Sequence, residues 1–146
     1  MSFSDDLSGF AQRTKKTMDD YVRFAVYETM NSLIEKSPVG DPSLWKEKPP
    51  KGYQPGNFIS NWQLGVDDIN YVVTDDKDVS GQVSIDGLGA IPDQASGHLY
   101  YITNSLPYAQ RLEDGWSTQA PQGMVALTVV EFSVITNKAA QRAKFA

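Results

Sequence analysis

No proline interrupts the chain before Pro38, and from Asp5 to Lys36 apolar residues return every three or four positions. That spacing predicts one long amphipathic helix over residues 5–36. Ser4-Asp5-Asp6 offers an N-cap and two carboxylates at the positive end of its dipole. Leu7, Phe10, Thr14, Met18, Tyr21 and Ala25, with Val22, Val26, Met30 and Leu33, make a broad apolar face. Such a helix is about 48 Å long at roughly 1.5 Å per residue, whereas a compact chain of this size is about 40 Å across. It must bend, with Gly9 as the weak point, or project at one end. Phe3, Leu7 and Phe10 then either cover the protein's own core, the reading preferred here, or form an interface element on a projecting first turn.

Residues 38–57 hold Pro38, Pro42, Pro49, Pro50 and Pro55 with Gly40, Gly52 and Gly56, too many breakers for regular structure. Leu44, Trp45 and Tyr53 make this long loop a contact segment rather than a solvated linker. Trp62, Leu64 and Val66 alternate with Gln63 and Gly65, and Asp67-Asp68 separates them from Tyr71-Val72-Val73, which reads as a hairpin. Val83 with Ile85, and Leu99 to Thr103, supply further strands. A short helix is expected to start near Pro107 and to end at Gly115, where a left-handed cap is wanted. Residues 124–135 are rich in β-branched side chains, yet Leu127, Val130, Glu131, Val134 and Ile135 fit a helix face that Ala139, Ala140 and Ala143 continue. The expected fold is α+β in a single domain, 1–146: an antiparallel sheet packed by the long N-terminal helix 5–36 and a C-terminal helix 122–143. The Pro-rich loop 38–57 precedes the sheet and short helix of 60–115, with the short helix itself near 107–114.

The chain has no cysteine, which removes disulfides, thiolate metal sites and cysteine nucleophiles, and points to synthesis in a cytosol. Met1 to Leu7 lacks the basic and apolar regions of a signal peptide, and no apolar run approaches a membrane span, so a soluble, non-exported protein is expected. His98 is the only histidine, without a sequence context that marks a catalytic partner, and no catalytic constellation or cofactor motif is found. Glu113-Asp114 reads as a C-cap turn rather than a pair of glycosidase carboxylates. Asp76, Asp78, Ser80 and Gly81 open like a calcium loop, but position twelve is Gly87 instead of a bidentate Glu; a polar hairpin turn without metal is preferred.

The net charge of −5 is unevenly placed. Residues 67–93 carry seven aspartates against Lys77 alone, whereas Lys138, Arg142 and Lys144 make the end of the chain basic. The ordinary reading is a solvated loop and tail. The alternative is head-to-tail pairing of identical subunits in a ring. An acidic chain is a poor nucleic-acid binder, and repulsion would help DNA slide past it.

Asn104, Leu106-Pro107-Tyr108-Ala109, Leu112-Glu113, Gly115, Ser117, Gln119-Ala120-Pro121 and Gly123-Met124-Val125 resemble the signature of a tailed-bacteriophage family of neck or tail-completion proteins. Upstream, Ser37-Pro38-Val39-Gly40-Asp41 and Gly56-Asn57-Phe58 leading to Ser60-Asn61-Trp62-Gln63 resemble that family's other recurrent block. The resemblance spans roughly residues 5–135. It implies a non-enzymatic virion protein of the head-tail junction, made in the host cytoplasm and arranged as a homo-oligomer ring around the DNA channel. One face would meet a portal-proximal connector protein and the other a tail protein. From the residues themselves, contact surfaces are expected at Trp45 and Tyr53, at Trp116, Ser117, Gln119 and Pro121, and at Lys138, Arg142 and Lys144. The competing expectation is a carbohydrate-binding module that stacks sugars on exposed Trp and Tyr rings.

Overall fold

The computed structural model describes residues 2–40 and 51–146, so Trp45 lies outside the described residues. The chain is α+β. Helix α1 runs unbroken over Phe3–Lys36, 34 residues, straight through Gly9. Its cap is Ser2 rather than Ser4: the Ser2 hydroxyl accepts from the Asp5 N–H at 3.2 Å while the Asp5 carboxylate accepts from the Ser2 N–H at 3.3 Å. This reciprocal box leaves Ser4 inside the first turn.

Strands β1 (Trp62–Val66) and β2 (Tyr100–Asn104) form one antiparallel pair, with Leu64 opposite Ile102 and Trp62 opposite Asn104. The expected hairpin partner, Tyr71-Val72-Val73, is not a strand; those residues have no regular structure and are exposed. Two side-chain amides draw the chain along this course: Asn57 donates to the Thr74 and Asp76 carbonyls, and buried Asn61 both donates to and accepts from Thr74. Earlier, at 68–70, the chain crosses the outer face of the pair at Gly65, where a Cβ would collide with the Asp68 carbonyl oxygen. Any side chain at residue 65 would push that crossing away.

Val83 and Ile85 lie on helix α2 (Gln82–Asp86), not on a strand. Local capping overrides their β preference: the Asp78 carboxylate accepts from the Ser80 N–H, the Ser80 hydroxyl and the Val83 N–H at 2.6–3.0 Å. The expected hairpin turn at 76–81 is thus the entry to a helix. Helix α3 (Ala109–Glu113) begins two residues after Pro107, because Asn104 spends its side chain elsewhere, on the Phe58 carbonyl and the Leu106 N–H. The C-terminal helix comes in two pieces, α4 (Val125–Val130) and α5 (Phe132–Lys144), broken at Glu131, whose carboxylate is 2.8 Å from Lys36 Nζ.

The core joins Val26, Met30, Leu33 and Ile34 of α1 to Phe58, Ile59, Trp62, Leu64, Leu106, Ala120 and Met124. All its α1 members come from the C-terminal half of the helix. Upstream the outcome differs from the preferred expectation: Phe3 is 81% exposed, Phe10 is 61% exposed, and Leu7 and Met18 are also open to solvent. Among the described residues, the first bond from α1 to the rest of the chain is Lys15 to Gln94, followed by Asp19 to Ser96 and Arg23 to the Pro92 and Asp93 carbonyls. The α1 segment before Lys15 therefore projects with its apolar stripe uncovered.

Candidate functional site

The stretch 104–125 is assembled as a frame. At the end of α3 the Gly115 N–H donates to the Leu112 carbonyl and the Trp116 N–H to the Arg111 carbonyl, the two crossed bonds of a Schellman cap. Gly115 takes φ +88°, as the expected left-handed cap requires. Trp116 leaves this cap facing outward, 72% exposed, with the Arg111 guanidinium 5.2 Å from its ring centroid. The loop then returns to the protein: Ala120 is buried, and the Gln119 N–H donates to the Ser117 hydroxyl. The Gln119 side-chain oxygen accepts from the Val39 N–H at 2.9 Å.

That last bond joins the two blocks singled out in the sequence. Ser37, in the first block, accepts from the Trp62 indole N–H at 2.8 Å and donates to the Leu33 carbonyl. Tyr53 is half-buried and donates its hydroxyl to the Gly40 carbonyl at 2.7 Å, so it helps hold the loop against the domain. Glu113 has a role that its sequence position did not reveal. Its carboxylate accepts from the backbone N–H groups of Met124, Val125 and Ala126 at 2.9–3.0 Å, capping α4 from α3; only the C-cap at Asp114 is the expected turn. Four of the expected surface residues, Trp116, Ser117, Gln119 and Pro121, lie together on one loop, with Trp116, Gln119 and Pro121 exposed and Ser117 half-buried.

The basic residues near the C-terminus are engaged within the chain. Lys138 and Arg142 both pair with the carboxylate of Glu28, at 3.2 and 3.0 Å, and the Arg142 guanidinium lies 4.2 Å from the Phe24 ring centroid. Lys144 lies farther out, its ammonium 5.7 Å from the Phe145 ring centroid. Beside this α1–α5 seam an open groove of about 320 Å³ is lined by Ala25, Val26, Thr29 and Leu33 of α1, Tyr100 and Ile102 of β2, and Val125, Thr128, Val129 and Phe132. Its walls are mostly apolar, and Val129 is 66% exposed. Composition did not point to this groove, because it forms where α1, β2, α4 and the start of α5, from distant parts of the chain, meet.

No family model, curated protein or solved structure matches this chain.

His98 has a partner that the sequence did not mark: its Nδ1 is 2.7 Å from the Asp67 carboxylate, whose other oxygen accepts from the Leu99 N–H. The contact ties the entrance of β2 to the exit of β1, and the His98 hydrogen bond, with that of Leu99, holds the Asp67 carboxyl below its usual pKa. Asp19 is lowered by the Ser96 hydroxyl and N–H, and Asp78 by Ser80 and the Val83 N–H. Among the described residues, no group of three or more His, Asp or Glu side chains is placed to hold a metal ion. No described helix is long and apolar enough to cross a membrane. Of the tryptophans considered for sugar stacking, Trp62 is buried and Trp116 carries Arg111 over its ring.

These three carboxylates set an acid limb of stability. Their folded-state pKa values lie below the unfolded value of about 3.9, so their contribution is present above that pH and lost as pH falls through the lower folded values. Asp78→Asn is therefore expected to lower the unfolding midpoint at pH 7, with the difference from the parent shrinking below about pH 4. A difference that stays constant down to pH 2 would show that the Asp78 charge does not matter to α2.

Proposed function

We propose that this protein is a structural subunit of a tailed-phage virion, acting at the head-tail junction as a neck or tail-completion protein and assembling as a ring. The observation that carries this reading is the Gln119 to Val39 bond. It welds together the two sequence blocks that resemble the neck-protein family and leaves Trp116 displayed on the weld. Residues that a catalyst would aim into a cleft are here spent on framework: Glu113 on backbone amides, Ser37 on Trp62, Asn104 on Phe58. Alongside its charged surface the protein presents apolar groups to solvent, namely Trp116, the α1 stripe and the groove beside α5, which are the material of protein contacts. In this reading a connector protein on one side and a tail protein on the other take the ring's two faces. The acidic segment 67–93 gives DNA in the channel nothing to grip.

Trp116→Ala tests the contact assignment. Trp116 makes one exposed cation–π contact, so the isolated variant is expected to keep its stability within about 1 kcal/mol. Loss of a central aromatic contact costs about 2–4 kcal/mol at each interface, so phage carrying only the variant should accumulate filled heads and free tails in electron micrographs. Normal particles made with the variant would remove Trp116 from the junction. Density for this subunit anywhere but the neck in a map of the particle would overturn the function itself.

A further inference from the structure

The stripe on the projecting end of α1 and the groove beside α5 are both apolar, both uncovered among the described residues, and both on the same chain. We propose that they are the two halves of one contact: Phe3, Leu7 and Phe10 of one copy seat in the groove of the next. The proposal rests on the ring-forming reading above and names how the ring would close.

The sizes agree. A dry protein cavity of about 150 Å³ holds one benzene, so a groove of about 320 Å³ has room for two such rings. Phe3, Leu7 and Phe10 are spaced four and three apart on a continuous helix, which sets them in one row about 10 Å long. At their present exposures, burying Phe3 and Phe10 removes roughly 200–350 Å² from water, a substantial share of the ~800 Å² per partner of a stable interface.

Charge favours the same pairing. The incoming helix opens with Asp5 and Asp6. On the α1–α5 seam of the receiving copy Lys138 and Arg142 share the single carboxylate of Glu28, leaving one positive charge in excess. The occupant must be a second molecule. Ala25, Val26, Thr29 and Leu33, which build one wall of the groove, belong to the same unbroken helix as Phe3 and Phe10, and a straight helix cannot fold back onto its own flank. Each copy thus offers one donor and one acceptor surface, a heterologous contact that propagates into a ring when the rotation closes.

Complementing variants test this. Phe10→Asp spoils the helix and leaves the groove; Val129→Asp spoils the groove and leaves the helix; both positions are exposed, so both variants should keep the parent's circular dichroism and unfolding midpoint. By analytical ultracentrifugation at tens of micromolar, the parent is expected to oligomerise and each variant alone to be monomeric, its self-association weakened more than about 30-fold. An equimolar mixture should form a dimer and nothing larger, because one intact helix meets one intact groove. A monomeric parent, a variant that assembles like the parent, or a mixture that stays monomeric would each overturn the pairing. The neck location is decided separately by the particle map, so helix-to-groove assembly can fail while that reading stands, or hold while it falls.

Discussion

Trp62→Ala is expected to cost about 3–5 kcal/mol of folding stability, the range for removing a large buried aromatic, and thus much of the 5–15 kcal/mol that a domain of this kind has. The loss has three parts. Trp62 is buried where β1 meets α1, and its ring meets Phe58 edge to face at a centroid distance of 5.6 Å. Its indole N–H also donates to the Ser37 hydroxyl, whose own proton is committed to the Leu33 carbonyl at the end of α1. Alanine leaves a cavity, removes the ring contact and takes a donor from Ser37. Trp62→Phe separates these parts: it keeps a ring against Phe58 and loses the hydrogen bond and some volume, for an expected cost of about 1–2 kcal/mol. Urea unfolding of both variants, read as a shift in midpoint at unchanged slope, checks the order. If Trp62→Ala costs under 1 kcal/mol, the helix and the strand pair are not held together through this residue.

Trp62 also shows which structure is legible in sequence. Its alternation with Leu64 declared a half-buried strand, and β1 is that strand. The same logic misread Val83 and Ile85, because β-branched side chains state a preference that a nearby cap can outbid, and the signal lay in Asp78 and Ser80 rather than in the valine and isoleucine. Tyr71-Val72-Val73 failed for a different reason. The backbone that follows it, at Thr74 and Asp76, is held by Asn57 and Asn61, side chains more than ten residues upstream, and no local pattern encodes such long-range amide bonds. The periodicity of α1 was readable along its whole length. Whether an apolar stripe meets its own core or faces solvent depends on where the other elements end, and periodicity holds no record of that. Within the signature stretch, the Gly115 cap could be read because left-handed geometry selects one residue type. Glu113 could not: its three donors sit eleven to thirteen residues away, across a loop.

Glu113→Ala is accordingly the most informative substitution in that stretch, with an expected cost of about 2–3 kcal/mol. One carboxylate satisfies three of the N–H groups that the first turn of α4 leaves without intrahelical partners, and its negative charge sits at the positive end of the helix. A lost cap alone costs about 1 kcal/mol, and hydrogen bonds to a charged group are each worth about 1.5–3 kcal/mol. Glu113→Gln should cost about half as much, since its amide oxygen can keep the Met124 and Val125 donors while its NH₂ faces the Ala126 N–H. Hydrogen exchange localises the effect. The Val125 and Ala126 amides should lose protection in the alanine variant, while amides in the middle of α1 change only by the global loss of stability. The consequence reaches function through Val125 and Val129, which α4 sets into the apolar groove. A frayed first turn displaces that wall, so Glu113→Ala should weaken self-association under conditions where the subunit is still folded. A variant that keeps these amides protected, stays within 0.5 kcal/mol of the parent and assembles normally would sever Glu113 from both the helix and the groove.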